Sequence, residues 1–140
     1  MMMKRNRTKM TKSLTALTMI GLITVATSVI PAKAAVLPTI KLRVTYQLNK
    51  DSARVVKTIK CSPNGGTYKY PARICRQLRS AGLAALKPTP PDTACSMIYG
   101  SDKKATVVGR WGNRVINAKF SQVNGCEIDR WQKLGFLLDN

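Results

Sequence analysis

Between Thr39 and Leu48 the chain alternates without a break. Ile40, Leu42, Val44, Tyr46 and Leu48 are apolar, and Thr39, Lys41, Arg43, Thr45 and Gln47 are polar. A period of two is the pattern of a strand with one face buried and the other wet. Asn49-Lys50-Asp51-Ser52 supplies turn chemistry, and Arg54 to Lys60 (RVVKTIK) reads as a second strand closing an antiparallel hairpin at Cys61. The period then changes. After a turn over Ser62-Pro63-Asn64-Gly65-Gly66, Pro71 is placed to open a helix. Ile74, Leu78 and Ala81 follow at helical spacing, and Gly82 is placed to close it.

Further on, Lys87 to Asp92 (KPTPPD) holds Pro88, Pro90 and Pro91, which fix the backbone in an exposed, extended segment. Ala105 to Val108 and Arg114 to Phe120 read as a third and fourth strand, with a turn from Gly109 to Asn113 that carries Trp111. Lys133 to Leu138 (KLGFLL) reads as a short final strand or terminal turn. The elements together predict an α+β fold: an antiparallel sheet of about five strands with one or two helices packed on one face.

The first 34 residues change this picture. Lys4, Arg5, Arg7, Lys9 and Lys12 precede an uncharged run from Ser13 to Ile30, and Ala32-Lys33-Ala34 has the small-x-small pattern of a cleavage site. This is the order of a secretory signal peptide. The rival, a membrane anchor, is opposed by the Thr and Ser content of the run and by Pro31. Residues 1–34 are therefore expected to be removed, leaving 35–140 as one extracellular domain with no membrane segment.

Cys61, Cys75, Cys95 and Cys126 all lie in the exported part, which predicts two disulfides, with three pairings open on count alone. The spacing C-x13-C-x19-C-x30-C contains no metal-binding knuckle and the chain has no histidine, so neither a zinc site nor any cofactor is expected. Without histidine there is no Ser-His or Cys-His pair, and the six carboxylates show no acid/base spacing. Binding is expected rather than catalysis. Residues 35–140 retain 18 basic residues against 6 acidic, a formal +12. That field favours anionic partners. Along the sequence, however, the cations are scattered and not gathered in a stripe, so the simple reading is a solvated surface with no nucleic-acid partner.

One segment resists a structural explanation. Met97, Ile98 and Tyr99 are consecutive large apolar residues between the prolines and Gly100-Ser101-Asp102, with Cys95 two residues upstream. A buried strand is one reading. The other is a clamped loop with an exposed apolar tip, the form a protease-binding loop needs. At these residues the chain resembles the Streptomyces subtilisin inhibitor family. The likeness runs through Thr58-Ile59-Lys60-Cys61-Ser62-Pro63, Gly66-Thr67, and Cys75 with Leu78 and Gly82. It continues through Cys95-Ser96-Met97-Ile98-Tyr99, Thr106-Val107 with Gly109 and Trp111, Arg114-Val115, Phe120-Ser121 and Asn124-Gly125-Cys126.

The resemblance implies disulfides Cys61–Cys75 and Cys95–Cys126. It implies a reactive bond Met97–Ile98, with Met97 as bait, flanked by protease-contacting Ala94, Cys95, Ser96, Tyr99 and Gly100. It also implies a subtilisin-like serine protease as partner, chymotrypsin-like enzymes as further targets, and a homodimer formed through the sheet face. Ser96 and Gly100-Ser101 stand where the family usually carries prolines, and the Cys61–Cys75 loop is a residue shorter. The competing function is a cationic secreted binding or antimicrobial protein acting through its basic surface.

Overall fold

The computed structural model describes residues 35–139, so the expected export segment, residues 1–34, lies outside the described residues. In chain order the strands are β1 (Ile40–Gln47), β2 (Val55–Cys61), the two-residue β3 (Gly65–Gly66), β4 (Ser101–Trp111) and β5 (Arg114–Gln122). The helices are α1 (Pro71–Ala81), α2 (Gly125–Lys133) and the short α3 (Gly135–Leu138), and a 3-10 turn spans Leu83–Leu86. The strands form one antiparallel sheet in the order β3-β2-β1-β4-β5.

The alternation in β1 does what its period requires. Ile40, Leu42 and Val44 are buried and Lys41 and Arg43 are exposed. The inward residues of the neighbours, Ile59, Val107, Ile116, Ala118 and Phe120, complete the floor of the core. Onto this single face pack Ile74 and Leu78 of α1, Trp131 of α2, Leu137 and Leu138 of α3, and Leu134 between the last two. Among the described residues, no helix packs on the sheet's other face. The fold is therefore the expected α+β arrangement, with three helices on one face rather than one or two.

Two glycines are demanded by close packing. Gly109 has φ +148°, and a Cβ there would lie 2.1 Å from the carbonyl oxygen of Lys41 on the adjacent strand. Gly112 has φ +58° at the first central position of the two-residue β4–β5 turn, where such tight hairpins need a left-handed residue.

Three boundaries differ from expectation. The β4–β5 turn is only Gly112 and Asn113, because β4 continues through Gly109 to Trp111, which pairs with Arg114. Ser101 and Asp102 belong to β4, not to a loop. The chain end is helical: Lys133 closes α2, and Gly135 to Leu138 form α3 instead of a strand. Asn124 decides the last point, since its side-chain oxygen accepts from the Glu127 amide at 3.0 Å and starts a helix there.

Tyr68 ties the two ends of the core together. Its hydroxyl donates to the Leu137 carbonyl at 2.7 Å, and burial, followed by the neighbouring Tyr46, pushes the phenol well above its ordinary range. The folded state thus holds the Tyr68 proton more tightly than the unfolded chain. Its contribution is present below pH about 10 and is lost as pH rises above that value. Tyr68→Phe should lower stability by about 1–3 kcal/mol at neutral pH, because the Leu137 carbonyl loses its donor. The variant's stability should also fall less steeply above pH 10. Urea unfolding of both proteins across that range checks both effects.

Candidate functional site

The site is built from the first turn of α2 outward. Asn124 caps this helix, leaving the amides and side chains of its first turn to hold the segment that precedes β4. The Gly125 amide donates to the Ser96 carbonyl at 2.9 Å. Cys126 is bonded to Cys95, with 5.4 Å between their α-carbons. Glu127 accepts at 3.0 Å from the hydroxyl of Thr89 in the proline-rich lead-in. Arg130 holds the other Glu127 oxygen at 2.6 Å while lying 4.6 Å over the Phe120 ring. One helical turn therefore grips three points of the incoming chain.

The outgoing side is held by β5. The Gly100 amide donates to the Gln122 carbonyl at 2.8 Å, and the Ser101 hydroxyl donates to the Gln122 side-chain oxygen at 2.5 Å. The Gly100 backbone lies so close to α2 that an added Cβ would be 3.1 Å from both Ile128 and the Gln122 side chain. Gly125 is likewise fitted against Ser96: a Cβ there would fall 2.1 Å from the Ser96 hydroxyl oxygen. The Tyr99 hydroxyl donates to the Asp102 carboxylate, and that hydrogen bond raises the phenol's pKa.

Between these anchors the chain stands away from the protein. Residues 93–100 have no regular secondary structure, and Met97 is 92% exposed, Ile98 64% and Tyr99 58%. The buried-strand reading of this segment is overturned. Its main chain is tied at Ser96 and Gly100, immediately outside the apolar triplet, so neither the sheet nor the core can take it in. Burying a side chain of this size is worth roughly 1.5–3 kcal/mol, and the fold forgoes that three times in succession. Consecutive exposed apolar residues on a fixed backbone suit capture by a partner.

Every residue expected in the site lies on this one stretch: Ala94, Ser96, Met97, Ile98, Tyr99 and Gly100 are exposed and Cys95 is partly buried. Three supporting residues, Thr89, Gln122 and Glu127, went unread in the sequence. Asn124-x-x-Glu127 was a legible sign, because a capping residue followed three positions later by Glu marks a helix start. Gln122 had no such sign, since both its carbonyl and its side-chain oxygen meet the segment only through the β4–β5 register.

The second disulfide sits elsewhere. Cys61 at the end of β2 is bonded to Cys75 in α1, with 5.6 Å between α-carbons, and both are buried.

A family model described as subtilisin inhibitor-like matches residues 38–124, well over half of the chain. The chain belongs to the subtilisin inhibitor-like family. The matched region runs from just before β1 to the cap of α2, so the family match includes the whole exposed segment. Sermetstatin of Streptomyces caespitosus, solved in complex with Bacillus licheniformis subtilisin, is similar at 21% identity and a TM-score of 0.44. That likeness covers 71% of this chain and 94% of sermetstatin. No curated protein sequence matches the chain.

Opening the Cys95–Cys126 tie with the pair Cys95→Ala and Cys126→Ala should cost about 3.7 kcal/mol by chain-entropy arithmetic for a closure of this length. Reversible urea denaturation measures the loss. Ser96→Pro keeps the carbonyl that Gly125 grips and removes freedom from the unbound segment. The proline variant should expose its 93–100 amides to solvent exchange no faster than wild type and survive subtilisin longer as an intact chain, read by mass spectrometry.

Proposed function

We propose that this member of the subtilisin inhibitor-like family is a secreted inhibitor of serine proteases that offers Met97–Ile98 as its reactive bond. The observation that carries the proposal is the exposed triplet Met97-Ile98-Tyr99, tied at Ser96 and Gly100 to the protein behind it. A protease cleft binds its substrate as an extended strand, main chain to main chain, with one side chain in a deep pocket. Residues 93–100 supply such a strand already ordered, so association avoids much of the usual ordering cost.

Each residue then has a role. Met97 enters the primary specificity pocket. Ala94, Cys95 and Ser96 line the cleft before the scissile bond, and Ile98, Tyr99 and Gly100 follow it. If the bond is cut, Cys95–Cys126 and the Gly125 amide hold the new carboxyl end, while the Gly100 amide holds the new amino end on β5. The ends cannot separate far, so resealing competes with release. The protein binds and does not catalyse: with no histidine it has no imidazole to act as base for a nucleophile.

Met97 selects the target. An unbranched, flexible thioether fits the large apolar pockets of subtilisin-like enzymes first and chymotrypsin-like enzymes second, and offers no cation to a trypsin-type carboxylate. Export follows from residues 1–34, whose loss would leave a domain with both disulfides in an oxidising medium.

Met97→Lys should raise inhibition of trypsin sharply and lower that of subtilisin, measured by titrating each enzyme with each inhibitor. Met97→Gly should weaken subtilisin binding by several kcal/mol, the scale of a central interface anchor. Mechanisms driven by net charge predict almost no response to either change. Unchanged trypsin inhibition by Met97→Lys would place the reactive bond elsewhere.

A further inference from the structure

Lys57 points to the side of the sheet where a lysine is least expected. It lies opposite Val44 in the β1–β2 register and shares the parity of Ile59 and Cys61, and all three of these are buried in the core. Side chains directly opposite on antiparallel strands share a face, so Lys57 is on the helical side. There it is partly buried. Its ammonium lies 5.3 Å from the centre of the Tyr68 ring. No carboxylate pairs with it, since the two ion pairs among the described residues are Lys103–Asp139 and Arg130–Glu127. The ring replaces part of the lost hydration. A counter-charge is missing.

Lys57 forms one wall of a hollow of about 170 Å³ between β2, α1 and α3. Lys69 and Arg73 add two cations, Tyr70 and Phe136 add two rings to that of Tyr68, and no lining residue is a carboxylate. The hollow also meets the start of α1. Tyr70 gives this helix no side-chain cap, and its first turn holds no acid. The amides of Ala72 and Arg73 therefore lack the partner that a cap or an acid would supply. Cations at this end oppose the helix dipole, where a negative group would stabilise. Gln77 lines the hollow one turn further on, and its side-chain oxygen is shielded from water with no hydrogen-bond partner among the described residues. A shielded acceptor without a donor is costly.

We propose that this hollow binds the carboxyl end of a short peptide whose last residue is apolar. The carboxylate meets Lys57, Arg73 and the free amides of the first turn of α1, which supply charge and donors together. The N–H of the last residue is the donor that Gln77 lacks. Its side chain lies against the Tyr70 and Phe136 rings. The volume is well below that of a site for a drug-sized molecule, so only the last residue enters. An inorganic anion would leave the rings unused, and a simple apolar acid would leave Gln77 unpaired.

Hydrolysis of a peptide after an apolar residue produces such ends. That is the reaction of the enzymes proposed as targets of the Met97 loop, and in this respect the inference rests on that reading. The hollow itself is separate from the loop, which leads into β4, with β1 standing between β4 and β2. It also lies on the helical side, away from the sheet face through which the family resemblance implies a homodimer.

The test is a titration of the isotope-labelled, purified protein with N-acetyl-L-phenylalanine, followed by the shifts of its backbone amides in NMR spectra. Saturable shifts should centre on Lys57, Ala72 and Arg73, with a Kd on the order of 1 mM for a ligand of this size. Residues 93–100 should not respond. Lys57→Met keeps the apolar stem and removes the charge, so binding should weaken about tenfold or more, and Lys57→Arg should retain most of it. Lys57→Met should keep wild-type subtilisin inhibition and unfold no more easily than wild type. Arg114→Gln, which removes an exposed cation away from the hollow, should leave binding unchanged. Three further probes each lack one feature: N-acetyl-L-phenylalaninamide the charge, hydrocinnamate the N–H, and inorganic phosphate the apolar body. Each should bind about fivefold or more weakly than N-acetyl-L-phenylalanine. Equal binding of the amide would overturn the proposal in favour of a merely apolar hollow. Equal binding of hydrocinnamate would overturn the role of Gln77 and the peptide with it, and equal binding of phosphate would leave a simple anion site in its place. Equal loss in Lys57→Met and Arg114→Gln would overturn it in favour of net charge. Absence of saturable shifts at the start of α1 would overturn it outright. No protease enters the titration, so failure of Met97 as bait would leave its result standing, and failure of the hollow would leave the loop.

Discussion

The bond between Cys95 and Cys126 joins the end of a proline-stiffened segment to the first turn of a helix, and the exposed triplet depends on that junction. Three large apolar side chains in water would ordinarily pull their segment onto the nearest apolar surface. Here the segment cannot move. Its sulfur is bonded to α2, its Ser96 carbonyl is held by the Gly125 amide 2.9 Å away, and its far end is held by β5 through Gly100. The helix is in turn anchored by Trp131, whose indole is buried in the core and donates to the Asp139 carboxylate at 3.0 Å. Rigidity at the tip is thus borrowed from the core through α2.

That dependence explains which parts of the molecule were legible in advance. Strand β1 and helix α1 were plain because each carries its own periodicity, uninterrupted by function. The loop was visible for the opposite reason: Met97-Ile98-Tyr99 fits neither period, and a local conflict of that kind tends to mark a working site. Helix α2 was missed because only Ile128 and Trp131 are large and apolar within Gly125–Lys133. Its helical state comes from the Asn124 cap and from packing against β5, and the second of these is tertiary. The β4–β5 turn was drawn too wide for a related reason. Gly109 reads as a turn residue, yet it lies inside a strand where the neighbouring strand leaves no space for a side chain.

The basic surface shows the same limit on a larger scale. Read along the chain, Lys41, Arg43, Lys60, Arg110 and Lys119 are spread from position 41 to position 119 and look scattered. Period two sends Lys41 and Arg43 to one face of β1. The antiparallel register then places Lys60 and Arg110 on either side of Lys41. No one-dimensional reading contains that information, because register is decided by which apolar residues must face the helices. The clustering of charge is a by-product of core formation in its position, though not in its composition: Thr or Gln at the same sites would pair without repulsion.

The two faces of the sheet meet different physical demands. The exposed segment around Met97 is tied to the helical side, where the core can brace it. No helix among the described residues covers the other face, and its side chains stand at intervals set by the pleat. In this fold the core is built on one face of the sheet. The face that the core leaves uncovered is therefore free to carry charge that the interior could never accept.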